Sequence, residues 1–338
     1  MSPTPTSLRA AIVGAGLMGR WHAHAIQRSG GRVVAVIDHD VARANALAAT
    51  LPGRPGAEVD VGSALRAHRV EVLHVCTSLS THEAIAREAI DAGVHLLVEK
   101  PLAEDAATVE RLHHAAAAAS VLLCPVHQFL FQQGILRLQR ELASLGTVRQ
   151  LDVLACSAGA DGAGDADREQ VARDILPHGL ALVRRLLNSS LASAEWQVGA
   201  GDPGELRALG QTGQASVLLS ISMRARPTEN SLVLRADHGT AHANLFHGFA
   251  TIERGTPSQR DKVLRPFAGA ALMLGAATSN LARRTARREP AYPGLRELVH
   301  RFHLAAAGRG TVPITVDESI DVARTRDTIA AERTNRRR

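Results

Sequence analysis

Between Leu8 and Cys124 the chain repeats one pattern, a short apolar run followed by a helix-like stretch. Leu8–Val13, Val33–Ile37, Val72–Val75, His95–Val98 and Val121–Cys124 read as strands. Arg20–Gln27, Val41–Ala49, Thr81–Ala92 and Asp105–Ala119 read as helices. Two strands joined through a helix pair in parallel, because the helix carries the chain back across the sheet. The expected fold is therefore α/β, with a doubly wound parallel sheet over residues 1–125. In such sheets the ligand crevice lies outside the carboxyl ends of the strands.

The loop after the first strand reads Gly14-Ala-Gly-Leu-Met-Gly19 and leads into a helix. Gly14 permits a tight turn, Gly16 lets the backbone approach a pyrophosphate, and Gly19 allows helix to pack on strand. Gly14, Gly16, Leu17, Met18 and Gly19 are thus expected to hold a dinucleotide diphosphate at the free N–H groups of the helix. Asp38 ends the next strand, nineteen residues after Gly19. That spacing suits an acid binding the adenosine ribose hydroxyls, and its charge would repel a 2′-phosphate. NAD(H) is expected in preference to NADP(H). The bland alternative, a glycine-rich turn without a ligand, leaves the strand, helix and acid unexplained. Thr77, Ser78 and His82 follow Val72–Val75 and are expected at the cofactor; Ser80 or Thr81 reads equally well as a helix N-cap.

Basic residues number 39, yet Lys100 and Lys262 are the two lysines in the chain. Lys100 lies in Glu99-Lys100-Pro101, directly after His95–Val98. Arginine stays protonated, whereas burial can lower the pKa of a lysine, so this position suits proton handling. Lys100–Pro101 is a candidate cis bond. The bland reading is a surface ion pair at a strand end.

At 338 residues two domains are expected. A net charge of +6 favours anionic small molecules, while 3% aromatic content argues against stacking of single-stranded nucleic acid. No nucleic-acid partner is expected. The N-terminal MSPTPTSLRA has no signal-peptide pattern and no run is apolar enough for a span, so the expected location is cytoplasmic. Cys76, Cys124 and Cys156 show no metal-ligand spacing, and no metal is expected. Arg336-Arg337-Arg338 reads as a solvated tail.

With the glycine loop, Asp38, Thr77–His82 and Glu99-Lys100-Pro101 in this order, the chain resembles the Gfo/Idh/MocA oxidoreductases, most specifically in Glu-Lys-Pro. The resemblance implies a second domain, residues 126–338, of α+β type with a large, mostly antiparallel open sheet. Runs at Thr147–Ser157, Ala194–Gly199, Leu206–Leu209, Ala215–Met223, Ser231–Ala236, Gly239–Asn244 and Phe249–Glu253 support it independently. It also implies a homodimer or homotetramer through the sheet face, Glu99 at the cofactor, and Lys100 near the nicotinamide and the reacting C–O group. Its second catalytic element is matched by Asp174-Ile-Leu-Pro-His178, with Ala181 where relatives often carry an acid. Pro177 is best accommodated in a first helical turn, which would put His178 near a helix N-terminus and keep its imidazole neutral. Asp174 would then cap that helix or bind substrate hydroxyls. His127 and Gln128 replace a more usual asparagine-arginine pair and are the expected substrate contacts.

The implied function is NAD(H)-dependent hydride transfer to or from a secondary alcohol or ketone of a sugar, polyol or sugar-like metabolite. Two rivals stand beside it: transient oxidation by bound NAD with net elimination, hydrolysis or epimerisation, and a non-catalytic dinucleotide-binding regulator. Residues 267–277 form an apolar stretch followed by Arg283-Arg284 and Arg287-Arg288. It reads first as a helix in the core or a subunit interface, second as a lid with arginines for a phosphate, and last as a peripheral membrane contact. Leu295–Ala306 and Val316–Glu332 read as helices.

Overall fold

A computed structural model describes residues 8–159, 161–255 and 259–337. Met1–Ser7 and Arg338, and with them most of the N-terminal stretch and the last arginine of the tail, lie outside the described residues. The chain forms two compact units. One joins the chain up to His127 with Leu295–Ala323; the other joins Gln128–Gly294 with the segment from Arg324 onward.

The first unit contains β1 (Arg9–Val13), α1 (Leu17–Arg28), β2 (Arg32–Ile37), α2 (Val41–Ala49), β3 (Gly56–Glu58), α3 (Val61–Ala67), β4 (Val72–Val75), α4 (His82–Asp91), β5 (His95–Val98), α5 (Ala106–Ala118) and β6 (Leu123–Pro125). Its six strands pair in parallel in the order β3-β2-β1-β4-β5-β6. The order reverses between β1 and β4, so the crevice of such a sheet opens beside their carboxyl ends. Strand alternation sends Ala11, Val13, Leu73 and Val75 into a core with α3, α4 and α5. Short side chains in these helices, Ala64, Ala86, Ala89 and Ala116, let them lie close to the sheet.

The second unit begins with α6 (Gln133–Leu145), β7 (Val148–Cys156) and α7 (Asp165–Leu187). Next come β8 (Glu195–Val198), β9 (Glu205–Thr212), β10 (Ala215–Ser222), β11 (Glu229–Ala236), β12 (Gly239–Asn244), β13 (Phe249–Arg254) and α8 (Gln259–Arg287). Its seven-stranded sheet runs β13-β12-β11-β7-β10-β9-β8. Among the described residues only the β7–β10 pair of this sheet is parallel. The alternating burial along β9, buried at Leu206 and Ala208 and exposed at Arg207 and Leu209, is that of a sheet with one packed face. Helix α9 (Leu295–Ala306) returns to the first unit, and α10 (Val316–Arg337) starts there and ends in the second.

Two expectations change. Pro177 is not in a first turn: α7 starts at Asp165 and runs through it, so His178 sits mid-helix, beyond the reach of the N-terminal dipole. A proline inside a helix loses one backbone hydrogen bond and costs about 3 kcal/mol. Here Leu176, Pro177, His178, Leu180, Ala181 and Leu182 are all buried, and that packing outweighs the loss. Similarly, the stretch 267–277 is helical but not in the chain's own core. Val263, Phe267, Leu274 and Leu281 of α8 are between 68% and 75% exposed.

Candidate functional site

The glycine loop is built by close approaches that no side chain would permit. Gly14 has φ +95°, and a Cβ there would lie 2.5 Å from the Cys76 carbonyl oxygen. A Cβ on Gly19 would lie 1.9 Å from the carbonyl oxygen of Gly14. Gly16 differs. A Cβ there would meet only the Arg43 guanidinium among the described residues, at an ordinary contact distance of 3.6 Å. Gly16 is the N-cap of α1, with no side-chain cap and no acid in the first turn. The N–H groups of Leu17, Met18 and Gly19 are therefore available to an anion, in a field that favours one. Leu17 is exposed at the rim. Arg43 was not anticipated, since it lies on a different element, α2, and only the fold brings it to the loop.

Asp38 at the end of β2 is 6% exposed. Its Oδ2 accepts the Ala15 N–H at 2.8 Å and its Oδ1 accepts the Asp40 N–H at 3.0 Å. The carboxylate thus braces the glycine loop as well as charging the crevice. After β4, Thr81 Oγ1 donates to Thr77 Oγ1 at 2.8 Å and the Ser78 and Ser80 hydroxyls lie 3.4 Å apart. Thr81 occupies the N-cap position of α4 without a side-chain cap bond. His82 is buried, with Nδ1 2.9 Å from the Pro101 carbonyl oxygen and Nε2 3.2 Å from that of Thr77. It ties the loop after β4 to the loop after β5.

That second loop carries Glu99 and Lys100, and Lys100–Pro101 is cis. Glu99 is buried and Lys100 half-buried. The Lys100 backbone N–H donates to Glu99 Oε2 at 3.3 Å, and Glu99 Oε1 is 3.1 Å from His22 Nε2 on α1. Burial and the neighbouring Glu99 push the Cys76 thiol well up, consistent with an inert cysteine. Because β1, β4 and β5 are adjacent, the glycine loop, Thr77–His82 and Glu99-Lys100 share one edge of the sheet.

In the second unit, Asp174 and His178 lie four residues apart on α7 and so on one face. Asp174 Oδ1 accepts from Gln170 Nε2 at 2.9 Å. His178 is buried and stacks on Phe129, centroids 4.5 Å apart at 25°. It opens on a small, mainly apolar pocket lined by Ile175, Gly179, Ile221, Asn230 and Leu245 besides Phe129. Ala181 is buried one turn further on. His127 ends the first unit and Gln128 begins the second; both are buried.

A family model described as "Oxidoreductase family, NAD-binding Rossmann fold" matches residues 8–127. Residues 8–127 thus match the Gfo/Idh/MocA oxidoreductase family. Inositol 2-dehydrogenase 4 of Saccharopolyspora erythraea is 40% identical over 121 residues, 35% of this chain and 36% of that relative. The UDP-N-acetylglucosamine 3-dehydrogenase of Acidithiobacillus ferrooxidans is 27% identical over 336 residues, 96% of this chain and 86% of that one. Its solved structure superposes with a TM-score of 0.76 at 20% identity, covering 98% of this chain and 99% of that one. GenD2 from gentamicin A biosynthesis, solved in complex with NAD, gives 0.74 at 20% identity, covering 99% and 97%. The fold is therefore shared with these solved structures along nearly the whole chain. The family binds NAD, and the uncapped α1 N-terminus at Gly16, with the Arg43 guanidinium beside it, fits a diphosphate.

Proposed function

We propose that the protein is an NAD(H)-dependent dehydrogenase of a secondary alcohol in a sugar, polyol or nucleotide-sugar substrate. The observation that carries this reading is the shared edge of β1, β4 and β5, where an uncapped, acid-free helix start lies beside the one lysine of the first unit. The named relatives act on inositol and on UDP-N-acetylglucosamine, which supports a cyclic polyhydroxylated substrate and favours net redox turnover over the non-redox and regulatory alternatives. Bound NAD supplies hydride acceptance at its nicotinamide. Gly14, Gly16, Leu17, Met18 and Gly19 would hold the diphosphate, Asp38 the adenosine ribose, and Thr77, Ser78 and Glu99 the edge near the nicotinamide. The Lys100 ammonium would stabilise negative charge developing on the substrate oxygen and pass its proton. His178 would take part in that proton transfer, with Asp174, His127 and Gln128 orienting hydroxyls. Gln128 suits this task, since its buried Oε1 has no hydrogen-bond donor among the described residues.

Calorimetry with NAD(H) and NADP(H), followed by a thermal-stabilisation screen of polyols and UDP-sugars with the preferred dinucleotide, tests the reading. NAD(H) is expected to bind about tenfold or more tightly than NADP(H), because Asp38 opposes a 2′-phosphate. Binding of neither dinucleotide would reject it.

We further propose that the protein is a homo-oligomer and that α8 contributes to the contact. Val263, Phe267, Ala270, Leu274, Ala277 and Leu281 recur at alternating spacings of four and three, the seam of a coiled coil. Leu272 and Met273, also exposed, lie off the seam. An interfacial membrane helix keeps that side charged, so a second copy of the chain is the better occupant. No helix among the described residues is long and apolar enough to cross a membrane. Light scattering should show a dimer or larger, and Phe267→Glu with Leu274→Glu should shift it towards monomer. An unshifted mass would remove α8 from the interface.

A further inference from the structure

Behind Glu99 the first unit buries three histidines in a row. His22 on α1, His74 on β4 and His303 on α9 are each fully buried. Glu99 Oε1 lies 3.1 Å from His22 Nε2; His22 Nδ1 lies 2.8 Å from His74 Nδ1; His74 Nε2 lies 3.0 Å from His303 Nε2. Three apolar side chains would pack here without polar cost, so the line of imidazoles calls for an explanation.

Hydrogen-bond counting fixes the protons. Each of the three contacts holds one hydrogen, and each neutral ring offers one. With Glu99 ionised, His22 must donate from Nε2 to the carboxylate. Its Nδ1 is then bare and accepts from His74 Nδ1–H, and His74 Nε2 accepts from His303 Nε2–H. Every donor points towards Glu99, and His303 Nδ1 is left bare. That nitrogen is the end of the line, buried and without a hydrogen-bond partner among the described residues. A doubly protonated His22 would reverse the outer two bonds and leave a buried N–H on His303 with no acceptor, which is the costlier arrangement. Burial depresses the basicity of His74 strongly and that of His303 to about 4, so neutral rings fit their surroundings.

We propose that Glu99, His22, His74 and His303 form a proton relay, through which the carboxyl beside Lys100 exchanges its proton with solvent near Gly31. A proton from water bonds to His303 Nδ1; His303 gives up its Nε2 proton to His74 Nε2; His74 gives up its Nδ1 proton to His22 Nδ1; His22 gives up its Nε2 proton to Glu99. One proton enters, one appears on the carboxyl, and no ring stays charged. The reverse hops return it. Gly31 supplies the outlet. It is half-exposed, and a Cβ there would stand 3.0 Å from His303 Nδ1. A side chain at this position would press on both His303 and Ile26. The catalytic use of the relay rests on the dehydrogenase reading: the protonation of Glu99 could reset behind an occupied crevice. The relay itself does not rest on it.

Nitrogen-15 histidine NMR on the intact protein tests the proposal without substrate. His22 should be the Nε2–H tautomer, His74 the Nδ1–H tautomer and His303 the Nε2–H tautomer. In D₂O the His74 ring N–H should exchange about a hundredfold or more faster than the His74 strand amide, because a relay renews it while a static network protects it. Gly31→Ala should slow that exchange about tenfold by closing the outlet. His303→Gln, which still donates to His74 but cannot pass a proton on, should slow it likewise. A ring proton as protected as the amide, or a tautomer turned away from Glu99, would overturn the relay. Should the protein bind NAD and oxidise a polyol while the His74 proton stays locked, the relay fails and the function stands. Fast exchange in a protein that binds no dinucleotide would instead uphold the relay and remove the function.

Discussion

Lys100→Ala is expected to lower kcat for NAD⁺ reduction by the accepted polyol about 10²–10⁴-fold, the usual loss when a positioned acid or base is removed. Dinucleotide affinity should stay within about threefold, since the glycine loop and Asp38 are built without Lys100. The expectation follows from where the ammonium is carried. Lys100 is half-buried at the end of β5, and its neighbours on both sides are spoken for: Glu99 by His22, the Pro101 carbonyl by His82. The backbone around the lysine is thus fixed by two adjacent loops. Lys100→Arg separates the two roles of the group. If a positive charge is enough, arginine restores most of the rate; if a proton must leave, arginine restores little, because its guanidinium does not deprotonate. Steady-state rates and calorimetry on the three proteins decide it. A Lys100→Ala enzyme within about threefold of the wild-type rate would remove Lys100 from the chemistry.

What could be read from the sequence follows a physical line. Strand and helix positions in the first unit are local properties. Val41–Ala49, Val72–Val75 and His95–Val98 stand where their periodicity puts them. The glycine loop is equally legible, since Gly14 and Gly19 answer steric demands that residue type alone reveals. Pro177 misled because its local preference is for a helix start, whereas α7 is held through it by a buried face that depends on β7 and β10. The short pieces β3 and α3 carry too few residues for a period, and α6 was not foreseen either. Sequence order placed everything after residue 125 in one domain; the structure sends Leu295–Ala323 back to the nucleotide-binding unit. His303 therefore meets His74 across 229 positions, a pairing that no motif announces. The same holds for Arg43 beside Gly16.

Arg333 makes the energetic side of that point. It lies three residues before the Arg336-Arg337-Arg338 tail, yet its side chain is 1% exposed. Its Nε and Nη2 grip the Glu169 carboxylate at 2.6 and 2.9 Å, the two-pronged geometry that arginine forms best. Nη2 also donates to the Asp202 carbonyl at 2.9 Å, and Nη1 donates to that of Glu205. Glu169 in turn accepts the Gly204 N–H at 3.1 Å. One guanidinium so fastens the end of α10 to α7 and to the turn before β9. Arg333→Ala should destabilise the second unit by about 3–5 kcal/mol, mostly because it leaves the half-buried Glu169 carboxylate without its two-pronged partner. Arg333→Met with Glu169→Met removes both charges and should recover a large part of that loss, while Arg333→Lys, with no fork, should recover little. Denaturant midpoints for the four proteins provide the comparison. NAD affinity serves as the control and should not change, because the glycine loop and Asp38 belong to the other unit. A single mutant as stable as the wild type would show that the pair only breaks even against its desolvation.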